Sequence, residues 1–144
     1  MQVQIRDLQT LPIDQPLLAE AARAALVVAG SSLDAVEIAV VDDRRIREVN
    51  RAYRNSDYAT DVIAFEAEDE PGGRSGEVIV SAQTARRQAA EAGHSLQAEL
   101  CLLVAHGVLH VLGYEDYDER SRAVMNELQE RVLATLWERL DRHE

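Results

Sequence analysis

Apolar positions change their spacing several times along the chain, and each change marks an element. Residues 3–5 alternate and predict a short strand. Over residues 14–28, Leu17, Leu18, Ala21, Ala22, Ala25 and Leu26 recur at helical spacing, and Gly30 is placed to stop that helix. Residues 36–41 form an apolar run and predict a strand, after which Asp42 or Asp43 can cap a helix reaching about Tyr53. Residues 60–65 are β-branched and apolar, hence a strand, and residues 77–81 are another. Between them Pro71, Gly72 and Gly73 make residues 68–76 a loop. Ser81 or Thr84 opens a helix that stops near Gly93, and Ser95 caps the next, which ends at Leu112 before Gly113. The last helix covers residues 118–140, with Val124, Leu128, Val132 and Leu136 on one face and Trp137 packing it onto the core.

The predicted order is β-α-β-α-β-β-α-α-α. It points to an α+β fold in which a small mixed sheet of about four strands packs with about five helices. Leucine and valine go nearly all the way round the helix of residues 96–112, so it is the buried central helix.

Composition adds little to this picture and charge adds more. A chain of 144 residues, 47% hydrophobic and 28% charged, is one globular domain over residues 1–144. A lone cysteine, Cys101, cannot form an internal disulfide and is expected to be an inert core thiol in a reducing compartment. No apolar run is long enough to span a membrane and the N-terminus lacks the pattern of a signal peptide, so a cytoplasmic location is expected. The net charge of −11 excludes a protein that is basic all over, though not one with a local basic face. All 15 basic residues are arginine, each carrying a fork suited to phosphate.

The candidate chemistry lies at the end of the buried helix. His106 and His110 are four residues apart, which sends both imidazoles from one helix face at a spacing that suits one metal ion. Gly113 then permits a turn into Tyr114, Glu115, Asp116, Tyr117 and Asp118, and such a turn can return a carboxylate to the two histidines. The competing reading is a pair of hydrogen-bonded core histidines. Gly107 stands where the zincin helix motif has its general-base glutamate, so a standard zinc protease is excluded.

The segment from His106 to Asp116, His-Gly-Val-Leu-His-Val-Leu-Gly-Tyr-Glu-Asp, resembles the signature His-Gly-x-Leu-His-Leu-x-Gly-Tyr-Asp-His of the YbeY family of bacterial endoribonucleases. Val49-Asn50-Arg51-Ala52-Tyr53-Arg54 followed by Thr60-Asp61-Val62-Ile63-Ala64-Phe65, and Gly76-Glu77-Val78-Ile79-Val80-Ser81, are similar to two further motifs of that family, in the same order. The resemblance implies a metal-dependent, single-strand-directed endoribonuclease of 16S rRNA 3′-end maturation and ribosome quality control. It implies one divalent ion, usually zinc, on His106, His110 and Asp116, with Asp116 in the place of the family's third histidine. An oxygen ligand widens the choice toward manganese, iron or magnesium. The implied partners are RNA, the small ribosomal subunit and ribosomal proteins.

On the helix of residues 43–54, Ile46, Val49, Asn50 and Tyr53 share the face expected to enter the core. Arg44, Arg47, Arg51 and Arg54 fall within about 80° of one another opposite it. That stripe is either a solvated face neutralised by Asp42, Asp43 and Glu48 or a track for RNA phosphates, with Arg86 and Arg87 as extensions. The resemblance makes Arg54 the contact to the scissile phosphate, so Arg54, His106 and His110 are the expected catalytic residues. Asp61 is expected to brace the entry of its strand, His94 to be solvated and His143, near the end of the chain, to be disordered. The alternative function is a non-catalytic ribosome-assembly factor that binds rRNA through the arginine face and holds a structural metal. A hydrolase of another substrate is a third.

Overall fold

The computed structural model describes residues 1–67 and 73–141. Its elements run β1 (Gln2–Asp7), α1 (Gln15–Ala29), β2 (Ala35–Val41), α2 (Asp43–Arg54), β3 (Val62–Ala67), β4 (Ser75–Ser81), α3 (Ala82–Ala92), α4 (Leu96–Val111), α5 (Glu119–Thr135) and α6 (Trp137–Asp141). The four strands form one sheet in the order β1-β2-β4-β3. β1, β2 and β4 are mutually parallel, and β3 runs antiparallel to β4 at the edge, so the sheet is mixed as expected. Part of the expected loop of residues 68–76 lies outside the described residues. Its last two, Ser75 and Gly76, already pair in β4 with Ala67 and Glu66.

The period of two along each strand sends alternate side chains to opposite layers. Val36, Ile38, Val40, Val78 and Val80 face the main core with α1, α4 and α5. Ala39, Val41, Ile63 and Ile79 face the other side, where Ile46 of α2 covers them. Helix α4 is the centre of the larger layer, with Leu100, Val104, Val108 and Leu109 fully buried. Among the described residues no helix is long and apolar enough to cross a membrane.

Two glycines let α4 lie close to the sheet. A Cβ on Gly107 would stand 2.5 Å from Val78 Cγ1, and one on Gly76 would stand 2.7 Å from Val111 Cγ1. Gly107 is therefore a packing position, and this is the physical reason that no glutamate stands there. Overpacking costs about 1–3 kcal/mol, while the helix propensity gained from glycine to alanine offsets at most about 1. Gly107→Ala is thus expected to lower the melting temperature by several degrees. An unchanged melting temperature would mean that α4 can lift from β4 without cost.

Helix α2 begins at Asp42, whose Oδ1 accepts from the Arg45 backbone N–H at 2.9 Å, and ends at Asn55 in the left-handed region (φ 54°). Asp43 anchors it. The Asp43 carboxylate accepts from Ser81 Oγ and Thr84 Oγ1, both at 2.6 Å, and pairs with Arg87 at 2.9 Å. Partial burial pushes its pKa up, but these three partners outweigh it and hold the carboxyl below its usual value. A depressed carboxylate stabilises the fold above its unfolded pKa, and that contribution is lost as pH falls through the folded value. Asp43→Asn is expected to cost about 1–2 kcal/mol near neutral pH. The gap from the native protein should begin to shrink as pH falls below the ordinary carboxylate range near about 4, and should close only once pH has passed through the depressed folded value and the native carboxylate is protonated as well. Urea melts of both proteins at neutral and acid pH measure it, and a gap that stays constant with pH would count against the charge.

Four packing expectations need correction. Tyr53 is 73% exposed and lies at the rim of α2, because the sheet offers no surface beneath that end beyond Phe65. On α5 the buried face runs through Met125, Leu128 and Val132, leaving Val124 exposed. The last helix breaks at Leu136, which turns Leu140 into the core and leaves Trp137 65% exposed. His94 is not simply solvated: its Nε2 lies 2.6 Å from Oε1 of the buried Glu99. His143 lies outside the described residues. Cys101 is buried as expected, and desolvation pushes its thiol up to about 12.

Candidate metal centre and its cleft

Helix α4 presents His106 and His110 one turn apart on the flank nearest β3. Their Nε2 atoms stand 3.0 Å from each other. The chain leaves α4 through Leu112 and Gly113 (φ 103°), and Tyr114 N–H donates to Leu109 O at 3.0 Å. The next helix then starts with a reciprocal cap: Ser121 N–H donates to Asp118 Oδ1 at 2.7 Å, and Asp118 N–H to Ser121 Oγ at 3.2 Å. Between these fixed ends the turn doubles back. Arg122 donates to the Asp116 carbonyl at 3.4 Å, and the Asp116 carboxylate reaches His106 Nε2 through Oδ2 at 3.3 Å and His110 Nε2 through Oδ1 at 3.6 Å.

These three residues, and no other cluster of three or more His, Cys, Asp or Glu among the described residues, bring their donor atoms within 4.8 Å of one another. Nitrogen and oxygen ligands about 2.0–2.1 Å from a tetrahedral ion stand about 3.3 Å apart. The two nitrogens stand 3.0 Å apart, one Asp116 oxygen lies 3.3 Å from His106 and the other 3.6 Å from His110, and one atom from each residue falls within 4.8 Å of the others, so the donor set fits one divalent ion. Three protein ligands leave coordination open on the side of the cleft, as in catalytic rather than closed structural sites. Glu115 Oε2 lies 3.9 Å from His110 Nδ1, too long for a hydrogen bond, and adds negative charge beside the donors.

The sequence reading missed Gln129. Its Oε1 lies 2.7 Å from His106 Nδ1, from α5 across the groove between the helices. An amide oxygen there accepts a hydrogen bond from Nδ1–H, which keeps the lone pair on Nε2 toward the donor cluster. A neutral amide 23 positions away carries no motif, so only packing could find it. Gln129→Leu is expected to weaken metal affinity about 10–100-fold with the fold intact, measured by competition with a chromophoric chelator. Unchanged affinity would mean that the ring is oriented by packing alone.

The donors open onto a cleft of about 520 Å³ that wraps over the β3 edge. Val62 and Ala64 form its floor, and Arg54, Tyr58, Thr60 and Asp61 line the far side. Asp61 is steadied there by Gln88 Nε2 at 3.3 Å. Of the arginine stripe, only Arg54 lines the cleft. It makes no ion pair among the described residues and faces the same space as the histidines. Arg47 is engaged by Asp57 at 2.8 and 3.3 Å, Arg44 lies 3.5 Å from Glu48, and Arg51 is exposed near Asp57. Arg87 is held by Asp43, and Arg86 is exposed on α3.

A sequence model described as "Endoribonuclease YbeY" matches residues 5–137. Relatives of that name include one from Heliobacterium modesticaldum, 41% identical over 83% of this chain and 81% of its own length. Another is from Pelotomaculum thermopropionicum, 44% identical over 83% and 84%. A third, from Moorella thermoacetica, is 41% identical over 85% and 88%. The solution structure of TM1509 from Thermotoga maritima shares the fold, with a TM-score of 0.62 at 21% identity over 96% of this chain and 93% of that one.

Proposed function

Because this chain belongs to the YbeY family of endoribonucleases, we propose that it is a metal-dependent endoribonuclease that cuts single-stranded RNA in the cleft beside His106 and His110. The finer reading is action in 16S rRNA 3′-end maturation and ribosome quality control, in the cytoplasm, on RNA of the small ribosomal subunit and in contact with ribosomal proteins. One observation carries the catalytic reading: three donors spaced for one ion share an open cleft with the guanidinium of Arg54, which makes no ion pair among the described residues. A structural metal in a non-catalytic assembly factor would need neither the open side nor the cation across from it.

His106, His110 and Asp116 would hold the ion. When bound, a divalent ion there supplies Lewis acidity toward a phosphoryl oxygen. Arg54 binds the same phosphate from the other wall and opposes the charge that grows on it in the transition state. Gln129 keeps His106 in the tautomer that ligates. Thr60 and Asp61, on the same wall as Arg54, offer hydrogen-bonding groups to the ribose or the attacking oxygen. Zinc is the ion we propose, since two imidazoles suit it. Asp116 is the residue that would admit manganese or iron.

The test is metal analysis of the purified protein followed by cleavage of an unstructured RNA with and without chelator. Stoichiometric metal, with cleavage lost on chelation and restored by zinc, is expected. RNA binding without cleavage in the metal-loaded protein would favour the assembly factor.

A further inference from the structure

A second groove of about 290 Å³ lies on the α2 face of the sheet and meets the metal cleft at one shared residue. Phe65 lines both. Arg45, Val49 and Tyr53 form its wall, spaced i, i+4, i+8 on α2 and so stacked along one flank. This flank is not the arginine stripe: it lies on the other side of the helix from Arg54. Tyr53 caps the junction, with its ring 5.4 Å from that of Phe65 at an interplanar angle of 66° and 73% of the residue exposed. Glu77, the cross-strand partner of Phe65, stands beside the rings, and Arg6 and Arg45 complete the polar lining. Arg45 has no ion pair among the described residues, while Arg6 lies 3.4 Å from Glu37.

Sequence periodicity assigns Tyr53 to the core, yet the fold leaves most of it in water, one residue from Arg54. A rigid ring seated edge-on against a second aromatic, beside an open phosphate site, is what a stacked base needs. We propose that Tyr53, supported by Phe65, is the stacking platform for a nucleotide next to the cleaved bond, and that Arg45 takes a phosphate further along the groove. The proposal rests on the endoribonuclease reading and adds a subsite to it. It favours RNA over a protein partner because Phe65 joins the groove to the cleft and Arg45, which makes no ion pair among the described residues, adds a cation to its wall. Glu77 and Glu37, side by side on β4 and β2, limit the path to a short one.

The experiment uses the metal-loaded full chain and a labelled unstructured RNA of about twelve nucleotides, within the reach of a single-strand channel. A single abasic position is walked away from the cut. Loss of one stacked base weakens binding by about five- to a hundredfold. Tyr53→Ala is expected to raise KM about tenfold on intact RNA with little change in kcat, and Tyr53→Phe to behave as native. One abasic position should cost the native protein the same factor and cost Tyr53→Ala nothing more. Arg45→Ala should reduce the salt slope of binding by about 0.7. If Tyr53→Ala binds and cuts every RNA as the native protein does, the proposal is overturned and the groove is left to a protein partner. A native protein that cuts none of these RNAs sinks the endoribonuclease reading itself, a result distinct from the first, and takes the subsite with it.

Discussion

Alanine at His106 or at His110 is expected to abolish stoichiometric metal and to lower RNA cleavage by more than about 100-fold. The magnitude has a floor. Losing an outer partner of a ligand costs about 10–100-fold in affinity or activity, and losing the ligand itself removes one of only three donors. The remaining pair, one nitrogen and the half-exposed Asp116 carboxylate, cannot complete the set. Both imidazoles sit near the surface of the cleft and are about a quarter exposed, so truncation opens no sealed cavity and the fold should survive. Metal content after dialysis and a thermal melt on the same sample separate loss of the site from loss of the protein. A folded double variant that keeps its metal would put the site elsewhere. Because an imidazole must be neutral to ligate, native metal affinity should also weaken steadily as the solution is acidified.

Arg54→Ala carries the second large effect: turnover is expected to fall about 10²–10³-fold with a modest change in KM. Arg54 lines the cleft with the histidines and makes no ion pair among the described residues, so its charge is free for substrate. A contact that strengthens as charge develops on the phosphate lowers kcat when removed, whereas uniform binding appears in KM. Arg44→Ala is the internal comparison. It lies 89% exposed beside Glu48 and away from the cleft. If it touches RNA at all, its loss should change the salt slope by about 0.7 and leave kcat alone. Arg47 is a poorer comparison, because Asp57 holds it and its removal also disturbs the loop after α2. Equal losses in KM for Arg54→Ala and Arg44→Ala, with kcat intact in both, would reduce Arg54 to one phosphate contact among several and return weight to binding without catalysis.

Much of this was legible from local spacing, because local geometry decides it. Four residues of helical rise put His106 and His110 on one face whatever surrounds them. Asp42, Ser81 and Ser95 each cap a helix through the backbone N–H three residues on, a bond that needs no tertiary partner. The alternating strands and the all-round apolar α4 likewise set the layers, since each had one way to bury its face. Periodicity names the residues that share a face, however, and not how much surface there is to cover it. Tyr53 and Val124 fall on apolar stripes that outrun their neighbours, and so both stay exposed. Which arginine of an even stripe reaches the cleft depended on where the end of α2 crosses the β3 edge, and only Arg54 lines it. Gly107 reads as a missing base in the sequence and becomes a packing contact only once Val78 lies beneath it. Gln129 and the groove under Tyr53 join residues from separate elements, through contacts that no single stretch of sequence contains.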